Sequence, residues 1–260
     1  VPSRRTPAST PRSVKFLRHG IFFASALTIV TAADEAPRPA EPLGHIGEVR
    51  ALSREEAARR LPVRVRGVVT WRGFRDQMTV QDETGGSWIL VAEARQRGIW
   101  TTDEAALKSI RVGHLLEIEG ITEPGAYASG ILPKTLRIVG EGILPRARPM
   151  DPARFFSGAE ANLRVEVRGV VQGYQPAENG WTLHLDGNPG RFTVEFPKTA
   201  LPDPEPLVDA EVRVTGVAVT RVNTRGEITM PRVYSSRSEE LVVEAAATPP
   251  FSARLMPLDR

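Results

Sequence analysis

Cysteine is absent from this chain of 260 residues, which excludes disulfides, thiolate metal sites and cysteine nucleophiles. Aromatic residues make up only 6% of it, and the four histidines, His19, His45, His114 and His184, are scattered. No two of them have helical ligand spacing, so neither a metal site nor a cofactor is expected. A glycine-rich phosphate loop opening a helix and a Gly-x-Ser-x-Gly elbow are both missing. Carboxylates occur in turns, with nothing to pair them in a pocket for acid–base work. The expectation is a chain that is not an enzyme.

An excess of one charge is also missing from most of the chain. The net charge is +3, but Arg4, Arg5, Arg12, Lys15 and Arg18 all lie in the first 33 residues, where no acid occurs. Setting those five aside leaves 29 of the 34 bases against 31 acids. Strong nonspecific phosphate binding needs clustered positive charge on the folded part. A nucleic-acid partner is therefore not favoured by charge.

Long apolar runs are scarce too. The run Ile21 to Val30 is ten residues, too short to span a bilayer, which takes roughly twenty. Basic residues precede it, and Thr31-Ala32-Ala33 and then Asp34 and Glu35 follow. That order, charged, apolar, small and polar, is the order of a secretory signal. Residues 1–33 are thus expected to direct export to the periplasm or another extracytoplasmic space. Residues 34–43, rich in Ala, Pro and Glu, read as a linker.

What is abundant is turn-forming residues, with 22 Gly and 22 Pro, and a repeat. Val63-Arg64-Val65-Arg66-Gly67-Val68-Val69 returns as Val165-Glu166-Val167-Arg168-Gly169-Val170-Val171. Weaker echoes occur at Leu115 to Ile121 and Glu211 to Val217. Internal repeats of this kind define domain organisation before any other signal. Residues 44–144 and 145–244 each read as one domain, and 245–260 as a further linker or the start of another domain.

In the first domain, Ser53 followed by Glu55 and Glu56 starts a short helix that Pro62 stops. Val63 to Trp71 alternates with period two, as a half-buried strand does, and Gly67 is expected to mark a bulge or bend. Met78 to Gln81 and Ser87 to Val91 are strands joined by Asp82-Glu83-Thr84-Gly85-Gly86, whose residues fit a turn better than catalysis or calcium binding. Thr102 to Ile110 is a helix. Leu115 to Ile121 and Lys134 to Val139 are the fourth and fifth strands. Three strands, a helix and two strands match the five-stranded oligonucleotide/oligosaccharide-binding (OB) barrel.

After Pro145-Arg146-Ala147-Arg148-Pro149 the second domain repeats the pattern. Strands are expected at Val165 to Val171, Trp181 to Leu185, Phe192 to Phe196, Glu211 to Val219 and Leu241 to Val243. Pro197, Pro202, Pro204 and Pro206 crowd the place of the first domain's helix, so a loop or one short turn is expected there. The fold class is all-β with minor α: two tandem five-stranded OB-like barrels after a signal peptide.

Such barrels bind ligands on the second and third strands and adjoining loops, where aromatics stack and arginines meet anions. The candidates are Trp71, Arg72, Phe74, Arg75 and Trp88 in the first domain and Tyr174 and Trp181 in the second. The competing expectation is that Trp71, Trp88 and Trp181 fill the barrel cores, because small barrels are packed with side chains.

The chain resembles the tandem extracytoplasmic barrels of bacterial sensor histidine kinases. The residues that carry the resemblance are Leu61 to Thr70, Val80 to Gly86, Leu115 to Gly125, Gly140 to Pro145 and Val165 to Val171. Pro249-Pro250-Phe251 resembles the entry to another such domain. The resemblance implies a sensory binding module for a small ligand or partner protein, with the kinase and any membrane span outside this chain, and it transfers no catalytic residue. The Gln-Asp-x-Thr-Gly turn also occurs in domains accessory to secreted nucleases, so a secreted nucleic-acid-binding module is the alternative.

Overall fold

A computed structural model describes residues 41–247, apart from residues 126 and 189. The expected signal segment 1–33, most of the 34–43 linker and most of the 245–260 linker, including Pro249-Pro250-Phe251, lie outside the described residues.

Two short helices, α1 (Ile46–Ala51) and α2 (Arg54–Ala57), precede the first sheet. The expected helix at Ser53 is α2, closed by a reciprocal cap: the Ser53 hydroxyl accepts from the Glu56 N–H and the Glu56 carboxylate accepts from the Ser53 N–H. Strand β1 (Pro62–Arg72) then runs beside β2 (Met78–Gln81), which pairs with β3 (Gly86–Ile89). Helices α3 (Val91–Gln96) and α4 (Glu104–Ser109) lead to β4 (His114–Glu123) and β5 (Gly130–Glu141). The carboxylate of Asp103 starts α4 by accepting from the N–H groups of Ala105 and Ala106.

These strands close in the order β1-β2-β3-β5-β4, with β3 and β5 parallel and β4 returning antiparallel to β1. Order and helix placement are those of the OB barrel. Val63, Val65, Val69, Val80, Leu116 and Ile118 fill its interior with other apolar side chains. Gly67 is not the bulge. Its missing Cβ leaves room for Ile46 and Val80, whose side chains would lie 3.2 and 3.3 Å from one. The irregularity falls further along, between Val69 and Trp71.

The Asp82 turn is occupied by structural hydrogen bonds. One Asp82 oxygen accepts from the Thr84 N–H, the Thr84 hydroxyl and the Gly85 N–H, and the other from the Ile46 N–H at 2.8 Å. The turn thereby tethers the start of α1 to the barrel.

The second sheet begins with the two-residue β6 (Arg148–Pro149), followed by helix α5 (Pro152–Phe156). Strands β7 (Arg164–Ala177), β8 (Gly180–Asn188) and β9 (Gly190–Pro197) form an antiparallel run. The proline-rich stretch forms a single 3-10 turn at Glu205–Leu207, because prolines supply no N–H for a longer helix. Strands β10 (Glu211–Val219), β11 (Arg232–Tyr234) and β12 (Leu241–Ala245) complete a seven-stranded sheet in the order β12-β10-β11-β9-β8-β7-β6, with a further pairing of β10 to β7. Phe155, Leu183, Leu185, Phe192, Val194 and Val212 are in its core.

The last strand expected at Leu241 to Val243 is β12, and an unexpected short strand, β11, precedes it. β11 pairs parallel with β9, as β5 does with β3, and β12 pairs with β10. Between them Ser235–Glu240 leaves the sheet, and Glu240 meets Arg164 at 3.1 Å in a pair with side chains 3% and 8% exposed. The alternating-residue signal could not place Arg232–Tyr234 as a strand, because three residues are too few to show a period.

Candidate functional site at the seam between the sheets

Strand β1 carries one extra residue opposite β2. Val68 and Val69 pair with Gln81 and Val80, whereas Trp71 and Arg72 pair with Thr79 and Met78. One inserted residue reverses the face of every side chain beyond it. Trp71 therefore leaves the barrel core and joins Trp88, the neighbour of Thr79 on β3, on the outer surface. There the two tryptophans meet Tyr234 of β11 and Val217 and Val219 of β10. Ring centroids lie 4.8 Å apart for Trp71–Tyr234, 5.5 Å for Trp71–Trp88 and 6.4 Å for Trp88–Tyr234. Tilted aromatic pairs of this kind contribute about 0.5–1.5 kcal/mol each beyond their area burial.

Polar bonds fasten the same seam. The Arg50 guanidinium donates to the carbonyls of Gly86, Ala161 and Gly158, and its burial pulls its pKa down. The Gln81 side-chain oxygen accepts from the Arg164 N–H at 3.0 Å, and the Tyr127 hydroxyl donates to the Ser157 carbonyl at 2.8 Å. Arg75 pairs with Glu178 at 2.8 Å. Gly86 must lack a side chain, since a Cβ there would sit 2.0 Å from the Asn162 carbonyl oxygen.

Two clefts border the aromatic cluster. One of about 240 Å³ is lined by Trp88, Tyr127, Asn162, Thr220, Arg221 and Tyr234, among others. The other, about 300 Å³, is lined by Trp71, Arg72, Phe74, Glu178, Glu195 and Ser236, among others. Gln77, Arg221 and Tyr234 border both. The Tyr234 hydroxyl accepts from Arg221 at 2.9 Å, which raises the Arg221 pKa. Thr220 Oγ1 and Ser236 Oγ are buried polar atoms without a protein partner, one at each cleft. An orphaned hydroxyl beside an aromatic wall suits a ligand that brings its own polar group.

The structure divides the sequence-predicted site residues. Trp71 and Trp88 come together in the seam and do not fill the barrel core. Arg72 reaches Asp76 at 3.1 Å, and Asp76 also holds Arg95 at 2.7 Å. These bonds steady a tight β1–β2 turn in which Arg75 and Asp76 both have positive φ, 55° and 62°, where non-glycine residues are rare. Phe74 is 47% exposed, with the Arg75 guanidinium 5.4 Å from its ring centroid. Tyr174 and Trp181 stand apart as an edge-to-face pair 5.4 Å between centroids, partly buried against the second core. Lys198 lies over Trp181, and the Tyr174 hydroxyl donates to Glu205, which raises its pKa.

Sequence reasoning missed Tyr127, Asn162, Arg221 and Tyr234. They lie in loops or in the unrecognised β11, and only the approach of the two sheets brings them together. Among the described residues, no cluster of three His, Asp or Glu side chains is arranged to hold a metal.

No protein-family model and no curated protein matches the chain. Among solved structures it is similar to the hypothetical protein ygiW from E. coli, with a TM-score of 0.28, 17% identity, 38% of this chain covered and 91% of that one. It is similar to the tetrameric p202 HIN2, with a TM-score of 0.33, 11% identity and coverages of 72% and 93%. A third is the Ifi202 HINa domain in complex with 20bp dsDNA, with a TM-score of 0.30, 10% identity and coverages of 72% and 96%. TM-scores this low tie the chain to none of them.

Proposed function

We propose that this chain is an exported, non-enzymatic binding module, the extracytoplasmic sensory part of a two-component sensor kinase. In this reading the second sheet is a further OB-like barrel. Its support is the pairing of β10 to β7, which links β7, β8, β9, β11 and β10 in the order of the first barrel. Export is supported by the charged-apolar-small order of residues 1–33. The sensor role is supported by the resemblance of the repeated strands and the Gln-Asp-x-Thr-Gly turn.

One observation carries the binding reading: the joint around Trp71, Trp88 and Tyr234 leaves an aromatic-walled cleft of about 240 Å³ with an unsatisfied Thr220 hydroxyl. That volume is below the usual range for drug-sized ligands, about 300–1,000 Å³. The ligand is therefore a small planar or apolar molecule with a hydrogen-bonding end directed at Thr220, Asn162 or Arg221. Its binding at the joint would stiffen the two sheets against each other, which is how a ligand signal could pass through the module.

Tryptophan fluorescence and thermal shift against a panel of small extracellular metabolites test this. A hit should raise Tm and alter Trp88 emission, and Thr220→Val should weaken it while leaving the fold intact. If no compound shifts Tm by more than about 1 °C at saturating concentration, the small-ligand reading falls. The coding sequence beyond Arg260 tests the sensor role separately: a membrane span and kinase are expected, and an immediate stop codon would overturn it. Nucleic acid is the weaker alternative, because Trp71 and Trp88 are turned into the seam and Arg75 is paired with Glu178.

A further inference from the structure

A larger groove of about 1010 Å³ lies apart from the aromatic cluster, along the segment that connects the two sheets. Arg66, Arg146, Arg148, Arg154 and Arg164 line it, and no aromatic side chain does. The connecting segment is held in place at both ends. The Gly142 N–H donates to the Gly113 carbonyl at 2.7 Å, and β6 pairs in parallel with β7, followed by a bond from the Met150 N–H to Glu166. Pro145 and Pro149 limit the backbone freedom of the stretch between them. Arg146 and Arg148 are both exposed, with half-buried Ala147 between them.

Two of the exposed arginines have buried partners: Arg66 bonds Glu117 at 2.8 Å and Arg154 lies 3.5 Å from Glu160, carboxylates with side chains only 8% and 5% exposed. Arg164 is itself buried in its pair with Glu240, so Arg66, Arg146, Arg148 and Arg154 are the arginines open to a ligand in the groove. Arg146 and Arg148 are exposed and, among the described residues, have no ion-pair partner. Of the two acids that line the groove, Asp82 is occupied by four hydrogen bonds and Glu83 lies 3.5 Å from His45.

From this arrangement we infer that the groove is an anion-binding site for a linear phosphate chain whose units carry no base. Guanidinium forks match phosphate oxygens bidentately, and a backbone restrained by Pro145 and Pro149 loses less entropy on binding than a free segment would. Single-stranded nucleic acids are recognised by stacking bases on aromatic side chains, which this groove lacks. The ligand is thus recognised by its charge spacing alone, and the site is independent of the aromatic cleft.

The test is titration of the protein with inorganic polyphosphate at several salt concentrations. Binding is expected at low salt, and the Arg146→Ala/Arg148→Ala double variant should lose on the order of tenfold in affinity at 0.1 M salt, with the log–log salt slope shallower by about 1.4–1.8. Both residues are exposed, so the fold should survive, which the melting temperature verifies. The control Arg59→Ala/Arg225→Ala removes the same charge from exposed positions outside the groove and should leave binding unchanged. Absence of polyphosphate binding at low salt, equal loss in the control, or tighter binding of a mixed-sequence single-stranded oligonucleotide would each overturn the inference.

Discussion

The first and second sheets share a seven-residue strand motif that differs at one position, Arg64 against Glu166, and pair their last strands differently. In the first, β5 runs unbroken for 12 residues, pairing with β3 at Ile131 and with β4 from Gly130 to Glu141. In the second, the same role is shared by β11 and β12, and the residues between them carry Glu240 inward to Arg164. By repeat alignment Arg164 occupies the place of Pro62, so in the second copy a buried charge at the start of the repeated strand accompanies the break between β11 and β12. The first sheet has a capped helix between its third and fourth strands, and the second has one proline-bounded turn. A shared strand motif therefore accompanies the same early pairing in both copies, while the connections and the last strands differ.

The largest effect should come from breaking the buried ion pair of the second sheet. Glu240→Ala leaves Arg164 buried without its partner, and removing one member of such a pair costs about 3–5 kcal/mol. Urea denaturation should show that loss, whereas Arg164→Met/Glu240→Leu should recover much of it. If Glu240→Ala melts like the parent protein, the second sheet does not depend on the pair.

Gly86→Ala should follow. A Cβ in contact with the Asn162 carbonyl must push the sheets apart, with an overpacking cost of about 1–3 kcal/mol. Tryptophan emission should shift to the red as Trp71 and Trp88 gain water. An unchanged spectrum would mean that the seam is looser than its geometry implies.

Asp103→Ala sharpens the contrast in the connections. It removes the cap of a helix that only the first sheet has, at a cost of about 1 kcal/mol. Hydrogen exchange should speed up locally in residues 104–109 and leave the 3-10 turn at 205–207 unaffected. Faster exchange in both would show that the two connections are coupled.

The smallest effect concerns acid. Hydrogen bonds from Arg137 and then Arg66 hold the Glu117 carboxyl well below its ordinary value, at about 2. A depressed carboxylate stabilises the fold fully above its unfolded value of 4.5, and that contribution is lost as pH falls through about 2. Glu117→Gln should therefore flatten the decline of Tm between pH 4.5 and about 2. A decline as steep as in the parent would place the acid sensitivity elsewhere.

Much of the barrel was legible because its cause is local. Val63, Val65 and Val69 alternate with Arg64 and Arg66, so one side of the strand had to be buried whatever lay around it. Asp82, Thr84 and Gly85 form a turn through bonds that span at most three residues. The binding candidates were legible only in part. Phe74 and Arg75 stay at a loop tip, but Trp71 changes faces because one extra residue enters β1, and a single insertion leaves no periodic trace. Trp88 reads from the sequence as a binding candidate or a core residue, and only the structure shows that its neighbour Ile89 is the one that enters the barrel.

By itself, then, the sequence determined the repeat, the strand faces, the capped helices and the absence of a helix where prolines crowd, all of which follow from interactions among near neighbours. Tertiary structure alone decided that Trp71 and Trp88 meet Tyr234, that Arg50 reaches Ala161 across 111 residues, and that Arg146 and Arg148 join Arg66 around one groove. Those contacts depend on how two finished surfaces fit together, and no local period or turn residue encodes that fit.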